Sequence, residues 1–550
     1  MEKKINVKTF GYLEDHSTII DNILKARNIK DKEQFLNPEL IEYYQLMEIE
    51  GTYKDIPYTR NAEKIILEAL ENHKHFFLSV DSDTDGITSG AIMYKWLAYR
   101  MKENFKYSEP KISYWVSQGK KHGLSDELFE ALEKSAAEIL IVMDSLDENT
   151  EMYQKIRDLG VKIVVLDHHD IRAEVDYDSV VTLVSSNRSD NPYLSGAGVV
   201  WKFCLGLDRL LDDEGFTLGM TDLAAVGLIA DMMVMTEEFM ENRAIVSYGL
   251  QNLNSETLKL MKGIYEFNSN AIAFGIAPLI NAACRYYQND TAFEAFIEED
   301  PKKIKKLIKV LKSCKERQVE DLATIKRRLF DEIQEQMDEP FFIFEIETEA
   351  EICGLLANQI MSAYQKPTFV YKKRDGLYKG SGRSYLLDLR SLTHECAPSV
   401  KGLGHPQAFG FICDPEYLDE FKVNMKEKLK HNNSTVIEEI DCELGVEDIS
   451  DYLIDEVKGI DRITGQNFRP LRFLVETDGL QMRTMSQGKH LIFDDDNGFW
   501  FVKWNAGDDF EKLFEQVDDT TRIRFMGTLD RGFIGRKYNR RMIVDNYELL

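Results

Sequence analysis

Short, mostly apolar runs (HFFLSV, EILIVMD and VKIVVLD) are separated by longer stretches whose apolar residues recur at helical spacing: EKIILEALEN, SGAIMYKWLAYRM, DELFEALEKSAA and EMYQKIRDLG. Strands alternating with amphipathic helices predict an α/β fold around a parallel, doubly wound sheet. That domain is placed at residues 61–300, after a segment (1–60) that reads as helical with turns at NPEL and DIPYT. Residues 301–337 read as one charged helix with Ile304, Leu307, Ile308, Leu311, Leu322, Ile325 and Leu329 at mostly helical spacing, and 301–340 is taken as the connecting helix. A smaller α/β domain is expected at 341–432, closed by the polar turn HNNST. Residues 440–550 read as short antiparallel strands with Gly and Asp turns, the pattern of a small β-barrel.

Composition narrows the field. At 550 residues the chain should hold about three or four domains. No stretch has the apolar length of a membrane span, and MEKKINVKTF lacks a signal peptide's apolar run. The seven cysteines are scattered with no C-x-x-C pair, the usage of a reducing cytosol, so a cytoplasmic protein is expected. A net charge of −27 argues against indiscriminate binding to nucleic acid or to an anionic membrane. Basic residues nevertheless cluster in PKKIKKLIKVLK, YKKRDGLYKGSGRS and GRKYNRR, where a solvated face is the plain alternative to a nucleic-acid track.

The chemistry is carried by the residues at the carboxyl ends of the apolar runs. HFFLSV leads into Asp81, Asp83 and Asp85, EILIVM into Asp144, and VKIVVL into Asp167, His168 and His169. The apolar run LAAVGLIA, taken together with the sheet strands, leads into Asp231. Unit charges 4 Å apart repel by about 4 kcal/mol at an effective dielectric near 20, so closely spaced carboxylates need either water or cations among them. Ile92, standing where a helix–loop–helix calcium loop has its twelfth-position Glu, and the strand that precedes the run argue against such a loop, and a solvated acidic turn is the plain alternative. Carboxylates and imidazoles gathered at one rim of a sheet suit Mn²⁺ or a similar divalent ion. Their number suggests two ions about 3.5–4 Å apart, the arrangement used for phosphoester displacement.

With Asp81-x-Asp83-x-Asp85-Gly86 upstream, Asp167-His168-His169 after a strand and Leu228-Ile229-Ala230-Asp231 downstream, the chain resembles the DHH phosphoesterase superfamily, and within it the RecJ-type single-strand-specific exonucleases. SGAGVVWKF, ENRAIVSYGL and IAPLINAACR come in the expected order, and KGSGRS and GLGHPQAFGF resemble motifs of the associated DHHA1 domain. The resemblance implies a DHH domain, a DHHA1 domain and a C-terminal OB-fold-like barrel. It also implies a 5′-to-3′ exonuclease that releases mononucleotides from single-stranded DNA in repair, recombination or replication. Two Mn²⁺ or Mg²⁺ ions are implied as cofactors: Asp83 and Asp144 would hold one, with Asp81 near it, and Asp85, Asp144, His168 and Asp231 the other. His169 would contact the scissile phosphate, and Asp167 would orient the histidines. Arg285, Arg383, Ser384 and His405 would meet DNA phosphate. Trp500, Phe501, Trp504 and Tyr538 can stack bases beside Arg536, Lys537, Arg540 and Arg541, although aromatic residues in a barrel are more often core.

A monomer is expected, with a single-strand-binding protein or a helicase as its protein partner. The chain departs from the family at Ser79, where some relatives carry a histidine, and at Ser117 or Gln118, where an arginine is usual; Lys120 or Lys121 can supply that charge. Cys284 and Leu403 each replace a glycine. Two other readings use the same residues differently: a DHH/DHHA1 phosphodiesterase for short oligonucleotides or cyclic dinucleotides, and a non-catalytic scaffold of replication or repair.

Overall fold

The computed structural model describes residues 3–10, 18–40, 59–119, 122–430 and 436–550, apart from positions 214, 264–265, 386, 398, 496–497, 505, 508, 515, 519 and 535–536. The HNNST turn, Lys120, Lys121 and Arg536 lie outside the described residues.

The chain opens on a strand rather than a helix, β1 (Lys3–Val7). Ile5 and Val7 pack beside Ile440, Leu474 and Met526, so the alternation in this short segment builds one face of a strand. The first sheet is wholly parallel and comprises β2 (Phe76–Val80), β3 (Ile112–Val116), β4 (Ile139–Met143), β5 (Lys162–Asp167) and β6 (Thr182–Ser185), in the order β3-β2-β4-β5-β6. The chain winds from β2 out to β3, then returns to the other side of β2 through β4. A crevice therefore opens between the carboxyl ends of β2 and β4, the position where open α/β sheets bind ligands. β2 and β4 are buried along their whole length, which is why they read as unbroken apolar runs.

LAAVGLIA is not a strand. It forms the helix Thr221–Ala230, in which every residue from Thr221 to Ile229 is buried. A short helix enclosed on all sides loses its amphipathic signature and cannot be told from a buried strand by periodicity. The long charged helix runs from Pro301 to Arg328, breaks at Leu329 and continues as Phe330–Glu335. Ile304, Ile308 and Leu311 enter the core of the first sheet, whereas Leu322, Ile325 and Leu329 enter that of the second.

The second sheet contains β7 (Phe342–Glu345), β8 (Thr368–Arg374), β9 (Leu377–Arg383), β10 (Lys401–His405) and β11 (Ala408–Cys413), in the order β10-β11-β9-β8-β7. β12 (Val436–Ile440) then pairs in parallel with β1, joining two segments far apart in sequence. The last sheet is OB-like and mostly antiparallel: β13 (Cys442–Leu444), β14 (Phe473–Thr477), β15 (Gln481–Met485), β16 (His490–Asp494), β17 (Phe499–Lys503), β18 (Ile523–Ile534) and β19 (Lys537–Leu549), ordered β13-β14-β18-β19-β17-β16-β15. Two of its pairings, β13 with β14 and β17 with β19, are parallel. Buried Arg243 fastens three parts of the chain. Its guanidinium carbon lies 3.6 Å from the centroid of the Phe35 ring, and its nitrogens donate to the carbonyls of Phe35, Met235 and Ile463 at 3.0, 3.2 and 3.3 Å.

Candidate active site

The acidic cluster forms because successive elements end at one rim. β2 delivers Asp81, and the helix Thr84–Glu103 starts at once, with Asp83 as its cap accepting from Gly86 N–H at 3.2 Å. Asp85, in the first turn of that helix, is buried; its two oxygens accept from Gly196 N–H (2.7 Å) and Ala197 N–H (3.0 Å), the first amides of the helix Gly196–Leu210. Those free amides and the positive end of a helix dipole stabilise a carboxylate. Two glycines make room. A Cβ on Gly196 would stand 2.6 Å from Asp144 Oδ1, and one on Gly227 would collide with Asp85 Oδ1.

β4 ends at Asp144, a non-glycine residue held at φ +56°, which turns its buried carboxylate back into the crevice. β5 ends at Asp167, fully buried; Oδ2 accepts from Leu146 N–H at 2.7 Å, while Oδ1 lies 2.5 Å from His169 N and 3.0 Å from its Nδ1. His168 turns the other way. Its Nε2 is 3.1 Å from Asp144 Oδ1, 3.5 Å from Asp231 Oδ2 and 3.9 Å from Asp85 Oδ2. Asp231 arrives here as the residue that ends the buried helix Thr221–Ala230.

The electrostatics follow from burial among like charges. Burial, then the charge of Asp83, pushes the Asp85 carboxyl up to about 7. Burial, followed by the charges of Asp85, Asp83 and Asp81, holds Asp144 well above the usual carboxylate range. Burial would also raise Asp167, but the charge and hydrogen bonds of His169 overcome it and draw that carboxyl below the usual range. Burial and the neighbouring His169 charge lower His168 to about 4, leaving a neutral imidazole with a free lone pair. His169 is raised to about 9, because the charge of Asp167 and its hydrogen bond outweigh burial.

These residues fit divalent cations. Ligand atoms fall within 4.8 Å of one another in three overlapping groups: Asp81, Asp83 and Asp144; Asp85, His168 and Asp231; and Asp144, His168 and His169. Asp144 Oδ1 is the telling atom. It is buried, has no hydrogen-bond partner among the described residues, and faces a neutral imidazole nitrogen at 3.1 Å. A carboxylate oxygen buried without a donor is costly unless something positive sits beside it.

A basic cavity of about 560 Å³ adjoins the cluster, lined by Arg285, Lys372, Arg374, Lys379, Ser381 and Arg383, with Glu351 as its carboxylate. Arg285 joins the two places: burial lowers its pKa, and the nearby Asp83 charge opposes that. Of the four proposed phosphate contacts, the fold brings Arg285 and Arg383 together here. Ser384 is buried with its hydroxyl donating to the Leu387 carbonyl at 2.6 Å, and exposed His405 stands at the end of β10 away from the lining. In the last sheet Trp500 and Phe501 are core, whereas Trp504 and Tyr538 are exposed.

Three contributors escaped sequence reasoning. Asn187 Nδ2 donates to the carbonyls of both His168 (2.5 Å) and His169 (2.8 Å), fixing the loop that carries them. Ser381, within the KGSGRS motif, lines the basic cavity in place of Ser384. His122 lies with Nδ1 3.3 Å from Asp81 Oδ1. Only Ser381 had a local signal.

A rim of carboxylates and imidazoles at the switch point of a parallel sheet defines a class of centre built for divalent cations. Residues 75–230 match the DHH family, N-terminal domain. The chain is 27% identical over 479 residues to the putative SPbeta prophage-derived single-strand DNA-specific exonuclease YorK of Bacillus subtilis, covering 80% of this chain and 79% of that one. It is 23% identical over 539 residues to the single-stranded-DNA-specific exonuclease RecJ of the same organism, covering 93% and 65%. Its fold matches the crystal structure of RecJ in complex with Mn²⁺ from Thermus thermophilus, with a TM-score of 0.77 at 19% identity, covering 100% of this chain and 80% of that one. Residues 75–230 thus form a DHH-family domain, and over most of its length the chain is similar to RecJ-type proteins.

Proposed function

We propose that this chain is a divalent-metal-dependent exonuclease that hydrolyses single-stranded DNA from the 5′ end. The observation that carries the reading is Asp144 Oδ1, buried without a donor and common to two of the three overlapping groups. Asp81, Asp83 and Asp144 would hold one ion, and Asp85, Asp144, His168 and Asp231 a second, so that Asp144 serves both. Mn²⁺ or Mg²⁺ bound there supplies positive charge to the phosphoryl oxygens and lowers the pKa of the attacking water. The protein's own residues do the rest. Asp167 holds the His169 ring by Nδ1, leaving Nε2 to face the phosphate, and Asn187 fixes the backbone of both histidines. Arg285 and Arg383 receive a neighbouring phosphate in the basic cavity, which suits a chain of phosphodiesters better than a single small anion. The similarity to single-strand DNA-specific exonucleases supports the substrate.

The test is release of label from single strands marked at either end, with Mn²⁺ and with EDTA. Mn²⁺-dependent release of the 5′ label first is expected, with His168→Ala inactive and normally folded by circular dichroism. Undiminished activity of His168→Ala rejects the site; 3′-label release first rejects the polarity; preference for a dinucleotide over a long strand favours the small-substrate phosphodiesterase.

A further inference from the structure

We infer that His122 is a second imidazole directed at the substrate phosphate, paired with His169 across the mouth of the acidic cleft. The inference rests on the phosphoester-hydrolase reading of that cleft and adds a substrate contact to it.

Two aspartate–histidine pairs stand side by side. His169 Nδ1 is 3.0 Å from Asp167 Oδ1, and His122 Nδ1 is 3.3 Å from Asp81 Oδ1. Both aspartates are buried, at 0% and 5% exposed, while the two imidazoles keep 42% and 41% of their side-chain surface open. Each ring therefore spends Nδ1 on a buried carboxylate and keeps Nε2 for what enters the cleft. The rings touch edge to face, with centroids 4.6 Å apart and planes at 61°. Two adjacent imidazoles with open Nε2 atoms can meet two non-bridging oxygens of one phosphate.

The loop that carries His122 is fastened rather than loosely draped. Gly123 N–H donates to Ser145 Oγ at 2.8 Å, and Leu124 N–H donates to Asp147 Oδ2 at 2.6 Å. Ser145 in turn donates to Asp81 Oδ1 at 3.3 Å. Gly123 sits at φ +83°, where any side chain would run into the Asp147 carboxylate. Residues just after the β4 tip thus set the height of His122 over Asp81. Among the described residues, none of the three cation-sized groups includes His122, which leaves its exposed ring for substrate.

A histidine serving only to brace Asp81 would look similar, and His122→Asn separates the two roles. The Asn amide reaches Asp81 from the place of Nδ1 but leaves nothing at the place of Nε2. In the full-length Mn²⁺-loaded protein we expect calorimetric affinity for thymidine 5′-monophosphate to fall about tenfold or more in His122→Asn, His122→Ala and His169→Ala alike. Mn²⁺ affinity should stay within about twofold of wild type in both His122 variants. Wild-type nucleotide affinity in His122→Asn overturns the inference, as does absence of nucleotide binding by the wild type, or a loss of Mn²⁺ affinity that parallels the loss of nucleotide. Nucleotide binding that depends on His122 in a protein that cleaves no DNA would instead reject the exonuclease reading and leave the contact standing.

Discussion

Asp85→Asn should stabilise the metal-free protein while diminishing its response to metal. Asp85 is 2% exposed, and burial with the Asp83 charge raises its carboxyl from 3.8 to about 7. At 1.36 kcal/mol per pKa unit, a shift of about three units makes the ionised carboxylate a burden of about 4 kcal/mol on the fold at pH 8. The sign follows from the folded pKa lying above the unfolded one. The protonated group's contribution is intact below about pH 4 and is lost as pH rises through about 7. Asn removes that charge but keeps only one acceptor for the two amides, Gly196 and Ala197, that Asp85 now satisfies. The lost bond costs about 1–2 kcal/mol, leaving a net gain of about 2–3 kcal/mol at pH 8 and a small loss near pH 4. Mn²⁺ offsets that advantage, since a ligand at a hundred times its dissociation constant adds about 2.7 kcal/mol at a site that binds it, and the variant has lost the site that Asp85 serves. Scanning calorimetry at pH 8 in EDTA and then in Mn²⁺ reads both halves, the transition displaced by Mn²⁺ identifying the sheet domain. A variant that melts below wild type in EDTA at pH 8, or that gains as much from Mn²⁺, would refute the account of a cluster strained by its own charge.

Other residues make separable predictions. Asn187→Ala frees the carbonyls of His168 and His169 and should weaken Mn²⁺ binding or turnover by about tenfold to a hundredfold without lowering Tm much; Mn²⁺ titration checks it, and an unchanged affinity and rate would mean the loop holds itself. Arg243→Ala strips donors from three carbonyls and should cost about 3 kcal/mol or more, with faster proteolysis between the first and last sheets; unchanged proteolysis would show that β1–β12 pairing and the Arg27–Asp441 ion pair suffice. Trp504→Ala with Tyr538→Ala should weaken binding of long single strands by about tenfold while sparing the cleavage rate of short ones, as measured by fluorescence anisotropy and label release; equal effects on both lengths would remove the last sheet from the DNA path.

What the sequence disclosed depended on whether a residue's role was written next to it in the chain. Asp81, Asp144 and Asp167 follow unbroken apolar runs, and a buried parallel strand that ends in a carboxylate has few other meanings. Asp231 follows an equally apolar run, so its place at the rim was legible although the element carrying it is a helix enclosed on every side. β3 and β6, at the two edges of the first sheet, lacked that emphasis and went unread. β1 gave no local sign of its partner, because pairing with β12 is decided by a surface built from the far end of the chain. Asn187 and His122 were silent for a related reason. An amide that braces two carbonyls and an imidazole that leans on an aspartate are defined by loop geometry, and no spacing in the chain encodes that geometry.

The charge distribution makes binding and chemistry depend on the same event. A net charge of −27 repels a polyanion from most of the surface, and the cleft itself gathers five aspartates at Asp81, Asp83, Asp85, Asp144 and Asp231. Positive charge is concentrated beside it, along the cavity of Arg285, Arg383, Lys372, Arg374 and Lys379, and Glu351 already engages Lys372 at 3.3 Å and Arg374 at 2.7 Å. Such a cavity can hold a phosphate near the cluster but not draw one into it. Entry of the scissile phosphate requires the aspartates to be neutralised first, by protons on Asp85 and Asp144 or by cations. Protons accomplish this only by disabling the residues that would hold the ions, so cation loading is the one route that admits the strand and equips the site together. Affinity for single-stranded DNA should therefore rise with Mn²⁺ even in a variant too slow to cleave, and a strand bound equally well in EDTA would show that the basic cavity alone does the capturing.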